Sequence, residues 1–183
     1  MTRFFDILFS LFGLILLSPI FMPLFTIELF KTGSIIFCQE RVGSVLKPFT
    51  LIKFRSMDIN SPSIATHLSK ASSITSFGSF LRKTKLDELP QLLNVLMGDM
   101  SFVGPRPNLF NQEELIVERS LRGVYNVRPG ITGLSQIKKI DMSTPKLLAE
   151  TDAKMISEFN NFIYFKYILL TILGKGFGDR IIQ

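Results

Sequence analysis

The sequence predicts an α-rich α+β domain joined to a membrane segment, and three observations carry that expectation. Residues 7–27 form an apolar run with no charge. Residues 34–42 and 49–57 are β-rich and flank a turn punctuated by Gly43 and Pro48. Four later stretches, 88–97, 111–122, 145–159 and 160–173, carry helical spacing or helix-end signals. At 183 residues the chain fits one domain with an anchor and is long enough to bury a core.

The apolar run, ILFSLFGLILLSPIFMPLFTI, is long enough to span a bilayer if straight. Pro19 and Pro23 fall inside it, and each removes a backbone donor. Two readings stand side by side. One is a re-entrant helix–break–helix with the break at Ser18–Pro19; the other is a kinked transmembrane anchor. Ser18 is placed to hydrogen-bond backbone groups that Pro19 frees. Arg3 and Lys31 flank the run symmetrically, so the positive-inside rule names no translocated side. A cleaved signal peptide is disfavoured, because no small-residue cleavage site follows and prolines interrupt the apolar region. The division expected is a re-entrant membrane helix over residues 1–31 and a catalytic body over 32–183.

The two β-rich stretches read as strands, arranged as a hairpin across GSVLKP. Lys53 and Arg55 lie two apart and so share a strand face, either solvated or aimed at phosphate. Residues 58–76 are rich in Ser, Thr and Asn and read as a loop, a candidate lid. His67, the only histidine, falls there and reads as a plain loop residue. Cys38 is the only cysteine, which excludes an internal disulfide and a cysteine-based metal site.

In the stretch 88–97, Leu89, Leu92, Leu93 and Leu96 form an apolar stripe and Gly98 supplies a stop. Pro90 is tolerated only in a first turn, which fixes the start near Asp87 or Glu88. In 111–122, Asn111 is the expected cap and Glu118–Arg122 an i,i+4 pair. Residues 160–173 carry Phe162, Tyr164, Phe165 and Tyr167, which suits a core helix or one lying in the headgroup layer.

There are 21 Lys and Arg against 15 Asp and Glu, a formal net charge of +6. Arg3 and Lys31 balance Asp6 and Glu28, so the whole excess follows the apolar leader. A basic body suits an anionic membrane surface or a phosphorylated substrate. No nucleic-acid-reading motif is present. Two segments, GDMSFVGPRP and VRPGITG, set Arg106 and Arg128 on turns stiffened by proline. A guanidinium held in this way is pre-organised to take phosphate oxygens in pairs. With Arg82, Lys53 and Arg55 these turns point toward an anionic substrate. The adjacent acids Asp87 and Glu88 read first as a solvated helix start. Beside cations, which favour the ionised form, they read equally as a nucleophile toward phosphorus and a magnesium ligand.

These residues also resemble the bacterial sugar transferase family, the monotopic phosphoglycosyl transferases, in its small catalytic-core form. The resemblance rests on RFFDILFS…LLSP, GSIIFCQERVG, KPFTLIKFRSM, FGSFLRKTKLDELPQLLNVLMGDMSFVGPRP and VRPGITGLSQ, and covers nearly the whole chain. It implies a re-entrant helix broken at Ser18–Pro19, Asp87 as nucleophile, and Glu88 as the partner that engages Mg2+. It implies that Arg82, Arg106 and Arg128 contact phosphates or hold the site together, with Lys53 and Arg55 matching its K-F-R stretch. The implied reaction moves a phosphosugar from a UDP-sugar, an N-acetylated amino sugar being expected, to polyprenyl phosphate (commonly undecaprenyl phosphate). The implied setting is the cytoplasmic face of the bacterial inner membrane, where the enzyme would begin glycan assembly. The chain departs from the family after Gln136, where it reads IKKID, and after Asp152, where it reads DAKMI. The partners expected are therefore the donor, the lipid acceptor and the bilayer, without nucleic acid. A homodimer is compatible with the sequence, although no seam is readable. Two other readings are a noncatalytic lipid-binding protein of the membrane surface and a phosphohydrolase that uses Asp87 with water as acceptor.

Overall fold

The computed structural model describes residues 2–32, 35–58 and 74–174. His67, most of the expected lid 58–76 and the tail beyond residue 174 lie outside the described residues.

Helix α1 (Thr2–Thr32) contains both prolines. The expected break at Ser18–Pro19 is therefore not an interruption of helical structure. Pro19 has no N–H for the Ile15 carbonyl four residues back, and the Ser18 hydroxyl donates to that oxygen instead, at 2.7 Å. One lost bond is replaced, so the helix continues.

Strands β1 (Ile36–Val42) and β2 (Pro48–Phe54) form the expected antiparallel hairpin, with Val42 opposite Pro48 and Ile36 opposite Phe54. The turn between them closes through Gly43 N to Lys47 O at 2.8 Å. Helix α2 (Ser76–Thr84) follows, capped by the Thr75 hydroxyl, which accepts from Gly78 N at 2.9 Å. Gly78 is required there, because a Cβ would lie 1.9 Å from the Ser56 carbonyl oxygen.

The acid pair departs from expectation. Asp87 and Glu88 sit on a separate 3-10 turn, Leu86–Glu88, and not in the first turn of an α-helix. Helix α3 (Gln91–Met97) begins after Pro90, which serves as its N-cap with φ −61°, and ends at Gly98 with φ +101°. Proline cannot donate within a helix, so the two turns stay distinct.

Strand β3 (Ser101–Val103) runs parallel to β4 (Gly130–Thr132), with Ser101 opposite Gly130. Helix α4 (Glu113–Leu121) starts two residues later than expected. Asn111 does not cap it; Gln112 holds that position and its side chain accepts from Leu109 N at 2.9 Å. The expected Glu118–Arg122 ion pair is present. Short α5 (Leu134–Ile137), α6 (Pro145–Ser157) and α7 (Asn161–Ile172) complete the described chain. Asn160 caps α7 by accepting from Ile163 N at 2.9 Å.

The core gathers where these elements meet. Leu51, Val95 and Met100 join β2 to α3. Val103, Met155, Tyr164 and Tyr167 join β3 to α6 and α7. The start of α1 is built into this body. Asp6, 1% exposed, accepts from Tyr164 Oη at 2.8 Å, Ser101 Oγ at 3.0 Å and Phe102 N at 3.1 Å. Arg3 donates to the carbonyl oxygens of Val95 and Leu96 at 2.5 and 2.8 Å, at the C-terminal end of α3, where a cation is favoured. The outer face of α1 exposes Phe4, Leu8, Leu11, Phe12, Ile15 and Leu16. Of the two expectations for residues 160–173, the core helix is met, since α7 buries Tyr164 and Tyr167; its other face exposes Phe162, Leu169 and Ile172. The two helices meet through Phe165, whose ring centroid lies 5.0 Å from that of Phe5. So large a paired apolar surface marks an interaction with membrane or protein.

Candidate active site

The acid turn is fixed from both sides. On its C-terminal side, Asn94 of α3 is fully buried and completes the outer edge of β2. Its amide donates to Thr50 O at 2.7 Å and accepts from Ile52 N at 3.0 Å. This registers α3 against the strand that carries Lys53, so Lys53 Nζ arrives 4.0 Å from Glu88 Oε1. On its N-terminal side, α2 leads into the turn through Lys85, whose backbone is left-handed with φ +59°.

A second cation reaches the same oxygen. Arg106 Nη2 lies 2.9 Å from Glu88 Oε1. The loop bearing Arg106 is held at several points. Gly104 N donates to Thr132 O and Gly130 N to Pro105 O, both at 2.9 Å. A Cβ on Gly130 would lie 2.1 Å from Gly104 N, so only glycine allows the two segments to approach. GDMSFVGPRP and VRPGITG are thus two sides of one parallel pairing. Arg41 of β1 adds a hydrogen bond to Pro107 O at 3.3 Å and one to Gln39 Oε1 at 2.6 Å.

Behind the loop lies a buried ion pair that the sequence reading did not identify. Arg119 of α4 and Asp152 of α6 are 1% and 0% exposed, with Arg119 Nη2 2.6 Å from Asp152 Oδ2. Arg119 Nη1 also donates to Arg106 O and Asn108 Oδ1, each at 2.9 Å. Ser135 donates to the other Asp152 oxygen at 2.9 Å. Burial pushes the Asp152 carboxyl above its ordinary value, and the Arg119 guanidinium and the Ser135 hydroxyl oppose that rise.

Asp87 and Glu88 are both 8% exposed, which overturns the reading of a solvated helix start. Arg82 Nε donates to Ser56 Oγ at 2.8 Å, while its buried Nη1 has no hydrogen-bond partner among the described residues. Arg55 stacks its guanidinium 5.6 Å from the Phe37 ring centroid. Arg128 lies elsewhere: it lines a cavity of about 600 Å³ with Thr2, Asp6, Asn126 and Phe159, which is separate from the cavity that Glu88 lines. Of the residues expected from the sequence, Lys53 and Arg106 converge on Glu88.

Lys85 is a further residue that the sequence reading passed over. Its only local signal was a lysine directly before a Leu-Asp-Glu turn. It lines, with Glu88, a groove of about 480 Å³. Among the described residues no three His, Cys, Asp or Glu side chains cluster as a metal cage. Adjacent Asp87 and Glu88 instead fit magnesium, which takes one or two carboxylates and draws its other ligands from substrate phosphates and water.

The family described as bacterial sugar transferase matches residues 1–176. An uncharacterized sugar transferase of Bacillus subtilis is 38% identical over 94% of this chain and 85% of its own length. The UDP-glucose:undecaprenyl-phosphate glucose-1-phosphate transferase of Klebsiella pneumoniae is 40% identical over 96% of this chain and 40% of its own length. A UDP-N-acetylgalactosamine-undecaprenyl-phosphate N-acetylgalactosaminephosphotransferase of Aeromonas hydrophila is 33% identical over 96% of this chain and 44% of its own length. The chain thus spans less than half the length of the latter two.

Proposed function

The chain belongs to the bacterial sugar transferase family, and from that premise we propose that it transfers a phosphosugar from a UDP-sugar to polyprenyl phosphate. The observation that carries the reading is the buried acid turn, with Arg106 and Lys53 both directed at Glu88. Two cations beside two acids offset the repulsion that an anionic substrate would otherwise meet. Relatives named for UDP-glucose and UDP-N-acetylgalactosamine donors and for undecaprenyl phosphate support the substrate classes.

In the proposed first step an Asp87 carboxylate oxygen attacks the sugar-bearing β-phosphorus. The bond from that phosphorus to the bridging oxygen breaks, and UMP leaves with the electron pair. The phosphosugar is then held on Asp87 as an acyl phosphate, a mixed anhydride. In the second step an oxygen of polyprenyl phosphate attacks the same phosphorus. The bond to Asp87 breaks, the carboxylate is regenerated, and polyprenyl diphosphosugar forms. Glu88, with Asp87 beside it, would hold magnesium, which screens phosphate charge when bound. Arg106 and Lys53 orient Glu88 and add positive charge; Arg82 offers the buried Nη1 to a phosphate oxygen. Arg55 is assigned an outer phosphate contact, and Arg128, which lines a separate cavity and whose carbonyl oxygen lies against Gly104, is assigned to holding the site together.

The exposed apolar faces of α1 and α7 support a bilayer setting, which we assign to the cytoplasmic face of the inner membrane with α1 as a re-entrant anchor bent at Ser18–Pro19. A site at that height meets a lipid phosphate without extracting the lipid. The donor proposed is a UDP-N-acetylamino sugar.

The test is UMP release from a panel of UDP-sugars, glucose and N-acetylamino sugars included, with magnesium, with and without undecaprenyl phosphate. The reading expects one donor to release UMP, with turnover multiplied by the lipid and abolished in Asp87→Asn. Release that is equal without lipid would favour a phosphohydrolase. Lipid binding without release from any donor would favour a noncatalytic membrane-surface protein.

A further inference from the structure

The groove beside the acid turn brings charged and apolar side chains together. Its polar end, at the turn, is lined by Lys83, Lys85 and Glu88. Its apolar lining comes from Leu89 and Leu92 and from Ile168 and Ile172 of α7, with the hydroxyls of Thr132 and Thr171 hydrogen-bonded to each other among them. The apolar end opens toward exposed surface: Ile172 and Leu173 are 76% and 66% exposed. Leu92 also packs on α1, where a Cβ at Gly13 would lie 3.1 Å from Leu92 Cδ1. The groove therefore runs from the charged turn to the two helices with apolar outer faces.

Lys85 stands where the polar end meets the turn. Its left-handed backbone is uncommon for a residue with a side chain and persists only where its surroundings fix it. They do so here: Lys85 N donates to Arg82 O at 3.3 Å, and Lys85 O accepts from Glu88 N at 3.2 Å. One residue thus ends α2, starts the acid turn and lines the groove.

We propose that Lys85 seats the phosphate head of the polyprenyl phosphate acceptor, with the first isoprene units in the groove between the acid turn and α7. This rests on the transfer reaction proposed above. A free phosphate would leave the apolar length wet, and an uncharged lipid would leave the lysines unused. An anionic isoprenoid satisfies both ends, and its tail leaves the groove on the side of the exposed apolar helices.

Two variants and one probe test this. Lys85→Gly removes the amine and suits the left-handed backbone, so the fold is expected to survive, as a melting curve checks. Lys85→Arg keeps the charge. Steady-state kinetics in detergent micelles should show the KM for undecaprenyl phosphate raised at least about tenfold in Lys85→Gly, with the UDP-sugar KM within about twofold, and Lys85→Arg close to wild type. A lipid KM within about twofold of wild type in Lys85→Gly would overturn the assignment. Independently, a diazirine-bearing polyprenyl phosphate should label Leu89, Leu92, Ile168 or Ile172, and lose that labelling in Lys85→Gly. Adducts confined to other segments, or groove labelling indifferent to the variant, would overturn it. Wild-type protein that labels in the groove yet releases no UMP would sink the transfer reaction and leave the groove assignment standing.

Discussion

Arg119 reaches across to the main-chain oxygen of Arg106 at 2.9 Å, while its other nitrogens hold Asp152. A fully buried ion pair thus sets the position of the loop whose own arginine meets Glu88. Removing one partner would strand the other charge away from water. Asp152→Asn is expected to cost about 3–5 kcal/mol in stability, and Arg119→Met a similar amount. Chemical denaturation in detergent checks this, and a loss below about 1 kcal/mol for both would show that the pair is expendable.

Arg106 and Glu88 should behave as one unit. Arg106→Gln and Glu88→Gln are each expected to lower turnover by at least about tenfold, and the double variant by much less than the product. A double-mutant cycle on UMP release measures the coupling. Strict additivity would mean that their contact has no part in the reaction.

The contact between Gly104 and Gly130 leaves no space for a methyl group. Gly130→Ala should force β3 from β4 and cost about 3 kcal/mol or more, with turnover falling because Arg106 moves with the loop. A variant that melts and turns over like wild type would contradict so close an approach.

Burial pushes the Lys85 ammonium below its ordinary value; Glu88 opposes this and Arg106 adds to it. With magnesium chelated, Glu88→Gln should lower the Lys85 value further and Arg106→Gln should raise it. Competitive amine labelling across a pH series, read at Lys85, gives both signs. Between the depressed folded value and the ordinary unfolded one, the unfolded chain binds more protons, so this lysine adds stability as pH rises. Shifts opposite to those stated would remove both cited charges as causes.

Much of this architecture was legible because local chemistry wrote it. Gly43 and Pro48 announced the hairpin, Gly98 ended α3, and Ser18 meets the carbonyl that Pro19 releases, whereas Pro90, expected inside a first turn that began near Asp87, instead precedes the helix. The parallel β3–β4 pair was not legible: each strand has three residues, and a three-residue strand has no period to read. The pairing of Arg119 with Asp152 was not legible either, since nothing local says that they face each other across a 33-residue separation. Arg106 and Arg128 share a proline-stiffened context, yet contacts far along the chain send them to different cavities.

The carboxylate of Asp6 waits longest for its partner. Tyr164 follows it by 158 residues, and at about 5–20 residues per second a ribosome needs roughly 10–30 s to supply that hydroxyl. Ser101 and Phe102 reach Asp6 sooner, 95 and 96 residues on, so the acid is met in two stages. The last bond and the ring contact of Phe5 with Phe165 both wait for α7, and a chain that stalls before that helix would hold α1 loosely.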